Sequence, residues 1–416
     1  MRDKFLPFSA PSIGEDEIIE VVNTLRSDWI TTGPKVKRFE AQFAQFVHAP
    51  DALAVNSGTA ALHLSLLALG IGPGDAVIVS SLTFCSAVHV IEHVGATPVL
   101  CDVERDTLNL DPRKIRQQIE NAEKHLGLRV KAILPVHLYG HPCDRDAILK
   151  IAAERHLAVI EDAAHSLPAS YKGHCIGSLS ATDSVPVLTC FSFYATKNLT
   201  TAEGGMLTGP KVLLDEARRW MLHGLSRDAW KRYNASGSWL YDVTCPGYKY
   251  NMTDIAAALG IHQLKNLPQS HARRSEIAQA YNSAFASRDE LEIPTERIDV
   301  RHAWHIYELR LNLDRSGISR ERFINEMHNR NVGCSVHFIP VHLLSYYRDK
   351  YRFEPEGFPI AFREYQRLVS LPLSAGMSNE DVEDVIEATI GILEEAKPTQ
   401  PLRTPNVISA QTSPAA

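Results

Sequence analysis

The chain predicts an α/β protein with a large domain, in which helices cover a mostly parallel sheet, and a smaller C-terminal α/β domain. Three observations carry that prediction. Short runs rich in Val, Ile, Leu and Ala alternate with helical patterns through the first part of the chain, and such alternation builds parallel sheets with crossover helices. The runs lack polar alternation, as strands buried on both faces do. After about Asn266 the pattern changes to long helices mixed with one face-alternating strand.

Taken in order, Glu15–Ser27 and Val36–Val47 read as helices joined by the loop Trp29–Pro34. Leu53–Val55, Ala76–Ser80, Pro98–Cys101, Ala132–Val136 and Ala158–Glu161 read as strands, with helices beginning near Thr59, Ala87, Pro112 and Asp144. Farther on, Arg273–Ser287, Glu321–Arg330 and Asn379–Glu395 read as helices and Ile306–Leu313 as a strand. The expected boundaries are therefore 1–266 for the N-terminal segment and large domain and 267–396 for the small domain. Residues 397–416, rich in Pro, Thr, Ser, Ala and Gln, have too little apolar surface to offset their ordering entropy and are expected to be a disordered tail.

The 416 residues are 44% hydrophobic and 22% charged, an ordinary balance for a soluble globular protein. A net charge of -6 argues against a nucleic-acid partner. The 7 cysteines are odd in number and form no CxxC pair, which argues against a disulfide framework or a zinc ribbon. No apolar run reaches the ~18 residues of a membrane span, and the N-terminal stretch lacks the apolar centre of a secretion signal. The expected location is the cytoplasm, away from membranes.

Three segments carry chemistry. Asn56-Ser57-Gly58-Thr59-Ala60 follows a strand and opens a helix, where unpaired amides and the helix dipole favour an anion. Gly58 permits close backbone approach, and Ser57 and Thr59 add hydroxyls; the same residues also serve as ordinary N-caps. The strand through Glu161 and Asp162 ends in carboxylates at the edge where open α/β sheets bind ligands. A buried carboxylate needs a cationic partner, and a protonated pyridine nitrogen is one. Finally, Phe191-Ser-Phe-Tyr-Ala-Thr-Lys197-Asn carries an apolar strand into a single lysine. An apolar setting lowers a lysine's pKa and makes it a nucleophile toward an aldehyde. Singly, each segment has a plain structural explanation. Together and in this order they form the three grips that pyridoxal 5'-phosphate (PLP) needs, for its phosphate, ring nitrogen and aldehyde.

The motifs SDWITTGP, NSGTAALHL, LTFCSA, VHLYGHP, EDAAHS, FSFYATKNLTTAEGG, PGYKYNMTDIAAALG, HAWHIYELRL and VHFIPVH, spread from about Trp29 to Pro372, resemble those of the PLP-dependent sugar aminotransferases of fold type I, the DegT family. The resemblance implies Lys197 as the lysine that bonds the cofactor and then shuttles the proton, and Asp162 as the partner of the ring nitrogen. It implies Phe84 stacked on the ring, Gly58, Thr59 and Ser192 on the phosphate, and His165 beside the cofactor. Asn251 matches an asparagine that reaches the phosphate from a neighbouring subunit, so a homodimer with shared sites is implied. Trp29 and Thr31, in the loop Trp29–Gly33, and His337 match walls of a sugar-nucleotide site; Tyr194, Arg227 and His342 are further candidates there. No carboxylate or cysteine accompanies His337 and His342 at a ligand spacing, so no metal is expected. In HAWHIYELRL, mostly strand core, His305 stands out.

Family members that dehydrate sugars carry histidine in place of the cofactor-bound lysine; Lys197 therefore implies transamination. The implied donor is L-glutamate and the implied acceptor a keto-sugar nucleotide. The motifs look closest to enzymes aminating C4 of a UDP-4-keto pentose, as in UDP-4-amino-4-deoxy-L-arabinose synthesis, with UDP- or dTDP-linked 4-keto-6-deoxyhexoses and amination at C3 left open. The rival readings are a PLP-dependent dehydratase or lyase, a noncatalytic relative, and a dinucleotide-binding oxidoreductase. The last needs a GxGxxG turn where this chain has NSGTAALHL.

Overall fold

A computed structural model describes residues 2–179, 185–225 and 241–396. Arg227 and the expected tail at 397–416 lie outside the described residues. Two helices lead in, α1 (Glu15–Leu25) and α2 (Pro34–Val47). Val36, Phe39, Phe43 and Val47 recur at helical spacing and bury one face of α2. Its N-terminus is held by a distant side chain, since the buried Asp254 carboxylate accepts from the amides of Gly33 (2.8 Å), Lys35 (3.0 Å) and Val36 (3.0 Å).

The βα alternation follows as β1 (Ala52–Val55), α3 (Gly58–Ala68), β2 (Asp75–Ser80), α4 (Ser86–His93), β3 (Thr97–Cys101), α5 (Pro112–His125), β4 (Arg129–Leu134), α6 (Arg145–Arg155) and β5 (Ala158–Asp162). A short ribbon, β6 (Ser170–Tyr171) and β7 (His174–Cys175), precedes β8 (Val187–Ser192), β9 (Gly205–Thr208) and α7 (Lys211–Met221). The main sheet has the order β1-β9-β8-β5-β4-β2-β3. The pairs β2–β3, β2–β4, β4–β5 and β5–β8 are parallel, while β9 runs antiparallel to both β8 and β1. That double reversal leaves β1, β8 and β5 pointing the same way, so their carboxyl ends share one edge.

Neighbouring residues of β2 show why polar alternation is missing. Val77 and Val79 pack into one hydrophobic cluster, Ala76 and Ile78 into another on the opposite face.

The chain continues through α8 (Asp254–Phe285), β10 (Leu291–Glu292), β11 (Val300–Arg301), β12 (Tyr307–Leu311), α9 (Arg320–Asn329), α10 (Ser345–Tyr351), α11 (Pro359–Arg367), β13 (Leu368–Leu371) and α12 (Asn379–Glu395). A three-stranded antiparallel sheet, β10-β12-β13, packs with α8, α9 and α12 around Ile277, Tyr281, Tyr307, Phe323, Val369 and Val385. The expected helix at Arg273 begins instead at Asp254 and runs through the expected boundary at 266. Its first turns bury Ala257, Ala258, Gly260 and Ile261, but every residue from 255 to 261 is apolar, so the sequence there shows no one-faced pattern; Thr253 Oγ1 caps them by accepting from the Ala256 amide (3.2 Å). Among the described residues no helix is long and apolar enough to cross a membrane.

Candidate active site

Three chain segments meet where β1, β5 and β8 end. Ser57 caps α3, its Oγ accepting from the Ala60 amide (3.1 Å). The amides of Gly58 and Thr59, in the first helical turn, are left for an outside acceptor. Two glycines keep this turn tight. A Cβ on Gly58 would stand 2.8 Å from Ser192 Cβ, and one on Gly205 would stand 2.6 Å from the Ser57 carbonyl carbon and oxygen. The helix N-terminus, β9 and the end of β8 thus form a compact concave wall with Ser192 on it.

At the end of β5, successive carboxylates face opposite ways. Glu161 turns into the protein, where it pairs with Arg145 (2.5 Å), accepts from Thr189 Oγ1 (2.8 Å) and lies 3.6 Å from His137 Nε2. Burial alone would raise it, but Arg145 and His137 hold it well below the usual carboxylate range. Asp162 turns to the cavity. Its Oδ1 accepts from the Ala164 amide (3.1 Å), and among the described residues no ion pair closes on it. Burial raises its pKa, opposed by the Ala164 amide, Lys197 and His137.

Lys197 follows β8 in a turn closed by its own amide, which donates to the Tyr194 carbonyl (2.9 Å). Its Nζ lies 3.4 Å from His305 Nε2. Burial lowers its pKa to about 8, while Asp162 pulls it upward. An amine so tuned keeps a minor but usable neutral fraction near physiological pH, far larger than that of an ordinary lysine, and is competent as a nucleophile or base.

These groups line one cavity of about 370 Å³, shared by Ser57, Gly58, Thr59, Phe84, Asp162, His165, Ser192, Tyr194, Lys197, His305 and His337. Phe84 is 54% exposed and sits at the mouth, its ring 5.6 Å from that of Phe338. His165 accepts the Tyr139 amide on Nδ1 (3.2 Å), so neutral His165 carries its proton on Nε2. His337 stacks on Phe8 (4.9 Å) and meets Ser370 Oγ through Nδ1 (2.9 Å).

Some expected residues lie elsewhere. Trp29, Thr31 and Asn251 do not line this cavity. They form a hydrogen-bonded unit beside it. Asn251 Nδ2 donates to Thr32 Oγ1 (2.6 Å), Thr32 to the Met252 carbonyl (2.5 Å), Trp29 Nε1 to the Thr32 carbonyl (2.8 Å), and the Asp254 amide to the Thr31 carbonyl (3.0 Å). His342 is buried against the Phe358 ring (4.6 Å), away from the cavity. In turn Phe8, Thr83, Ser86, Thr196, Glu203 and Phe338 line the cavity without having been singled out as site residues. Thr83, Ser86, Thr196, Glu203 and Phe338 lie inside motifs already noted; nothing near Phe8 marks it.

PLP fits this arrangement. The cavity offers an anion wall at α3, a buried carboxylate at Asp162 that forms no ion pair among the described residues, and a lysine of lowered pKa.

Comparison with known proteins agrees. The model of the DegT/DnrJ/EryC1/StrS aminotransferase family matches residues 11–389. The spore coat polysaccharide biosynthesis protein SpsC of Bacillus subtilis (strain 168) is 49% identical over 397 residues, which is 95% of this chain and 99% of SpsC. The solved PMP form of Spr1654 from Streptococcus pneumoniae superposes with a TM-score of 0.85 at 35% identity, covering 94% of this chain and 100% of that one; a PLP form superposes with 0.84. The aminotransferase TlmJ of Streptoalloteichus hindustanus gives 0.82 at 30% identity, covering 94% and 99%. The chain belongs to the DegT/DnrJ/EryC1/StrS family and is a PLP-dependent sugar aminotransferase.

Proposed function

We propose that this enzyme moves an amino group from L-glutamate to a keto-sugar carried by a nucleotide, at C4 of a UDP-4-keto sugar, with Lys197 and Asp162 as its catalytic pair. The observation that carries the reading is the convergence of Lys197, Asp162 and the N-terminus of α3 on one cavity. Bound PLP supplies the electron sink for the substrate carbon that loses or gains the amino group. Asp162 holds the pyridine nitrogen protonated, which keeps that sink strong. Gly58, Thr59, Ser57 and Ser192 hold the phosphate. Phe84 covers the ring face, and His165 flanks the ring.

Lys197 Nζ would hold the cofactor through its aldehyde carbon, with loss of water, and would move a proton to and from the substrate carbon. A pKa near 8 suits both duties, because the proton is neither held nor released at great cost. Tyr194 and His337, at the cavity wall, contact the sugar, and Arg227 is assigned to the same substrate.

Asn251 and the Trp29–Thr32 loop are joined as one hydrogen-bonded unit. Their assignment is to a neighbouring subunit's site, with Asn251 on its phosphate and Trp29 and Thr31 on its nucleotide sugar. The working form is then a cytoplasmic homodimer that feeds an amino sugar into polysaccharide assembly, in keeping with SpsC being a spore coat polysaccharide biosynthesis protein.

The test incubates the PLP-loaded protein and L-glutamate with UDP-4-keto pentose, UDP-4-keto-6-deoxyhexose and dTDP-4-keto-6-deoxyhexose in parallel. The expected result is one amino-sugar nucleotide formed per 2-oxoglutarate, fastest with a UDP sugar. A dehydrated product without 2-oxoglutarate would replace transamination by a lyase reaction, and preference for the dTDP sugar would move the nucleotide assignment.

A further inference from the structure

The pairing of Lys197 with His305 goes beyond proximity, because the hydrogen bonds around His305 allow one tautomer. Asn198 Nδ2 donates to two carbonyls, those of Leu167 (3.0 Å) and Ala303 (2.8 Å). Both amide protons are thereby committed, and the opposite rotamer would set an oxygen against two oxygens. Asn198 Oδ1 therefore faces His305 Nδ1 at 3.2 Å as a pure acceptor, and Nδ1 must carry the proton. Neutral His305 then has a bare Nε2, the atom 3.4 Å from Lys197 Nζ.

The imidazole is fixed in this pose. Its backbone amide donates to the Tyr139 carbonyl (3.0 Å), its carbonyl accepts from Arg274 (3.3 Å), and its ring lies 4.5 Å from that of His165. The charged and titratable groups about it are Lys197, His165, His337 and Arg274, with Asp162 beyond Lys197. Burial, and then the neighbouring Lys197 and Arg274, keep the ring neutral.

We propose that His305 is the positioning residue for Lys197: its Nε2, bared by Asn198, takes one Nζ–H and aims the remaining valences of the amine into the cavity. The inference rests on Lys197 being the reactive lysine, and it adds that His305 and Asn198 act as one device upon it. An oriented amine presents its lone pair toward the cavity in a single direction, which is the pre-organisation that nucleophilic attack and proton transfer exploit.

The test uses the full-length protein without cofactor. Nitrogen NMR of the [15N]histidine-labelled chain, with the His305 signal identified by its loss in His305→Gln, reads the tautomer directly. The expected state is protonated Nδ1 and bare Nε2 at neutral pH; a proton on Nε2 overturns the proposal. Competitive acetylation followed by peptide mass spectrometry then gives the pH midpoint of Lys197. Gln at 305 can still accept from Nζ and donate to Asn198, whereas Phe fills the space without an acceptor. His305→Gln is expected to stay within about half a pH unit of wild type, and His305→Phe to fall about one unit or more through loss of a charge-assisted bond.

Equal midpoints in all three proteins would reduce His305 to filler. Should His305→Phe not fold, the tautomer of the wild-type protein decides alone. Transaminase activity surviving in Lys197→Ala would refute Lys197 as the reactive lysine while leaving both readouts of the wild-type protein intact, so the two failures are distinguishable.

Discussion

Gly205→Ala tests whether the tight wall behind the α3 N-terminus is what binds the cofactor's phosphate. The new Cβ would lie 2.6 Å from the Ser57 carbonyl carbon and oxygen and 2.8 Å from the Gly58 amide nitrogen. Ordinary carbon contacts are about 3.5–4.0 Å, so β9 and the Ser57–Gly58 turn must part by roughly 0.9 Å. Every contacting atom is backbone, which leaves no side chain free to swing aside. Overpacking of this kind costs about 1–3 kcal/mol. Because the displaced atoms include an amide assigned to the phosphate, part of that cost appears as lost cofactor affinity. Hydrogen bonds of about 2.9 Å do not survive a shift near 1 Å. PLP affinity, measured by titrating the cofactor-free protein and following its absorption, is expected to fall about tenfold to a hundredfold. The thermal midpoint without cofactor should drop by only a few degrees. A folded Gly205→Ala protein that binds PLP as tightly as wild type would refute the phosphate assignment of this wall.

Other perturbations read other parts of the account. Arg145→Met strands the buried Glu161 carboxylate and should cost about 3–5 kcal/mol in denaturant unfolding at neutral pH. Since Glu161 is depressed in the folded protein, its contribution is present above its unfolded value and is lost toward acid; the gap between variant and wild type should narrow as pH falls through the carboxylate range. Lys197→Met should stabilise the cofactor-free protein by about 1–3 kcal/mol at pH 7. A base lowered to about 8 binds fewer protons folded than unfolded between pH 8 and 10.5, so wild-type stability rises across that window and the advantage of the variant shrinks; melting curves at pH 7 and 10 check it. Phe84→Ala removes a side chain that is 54% exposed, so unfolding stability should change by less than about 0.5 kcal/mol, while PLP affinity falls roughly threefold to tenfold by titration.

What the sequence disclosed was local. NSGTA announced a strand-to-helix turn because Ser57 is a capping residue and Gly58 a close-approach residue, and the turn lies at the carboxyl end of β1. Asp162 was legible as the end of an apolar run and Lys197 as the lysine in the loop that follows one, since strands buried on both faces are the plainest pattern of this fold class. The hidden features depend on partners far along the chain. The first turns of α8 are apolar at every position from 255 to 261, so the sequence shows no amphipathic stripe there, and the helix passes through the expected boundary. Asp254 gave no sign that it would cap α2, because its three amide partners precede it by more than two hundred residues. β9 escaped notice as a four-residue segment that starts within a glycine pair, and its reversal is what aligns β1 with β8. Asn198 gave no sign that its amide would fix the tautomer of a histidine on a distant loop.

The most direct test of the central claim is to load the protein with PLP, reduce it with borohydride and map the modified peptide by mass spectrometry. Reduction should fix the cofactor onto Lys197, and prior addition of L-glutamate should prevent that labelling. A label on another lysine, or no label in a protein that demonstrably binds PLP, would contradict the assignment of Lys197 as the residue on which the reaction turns.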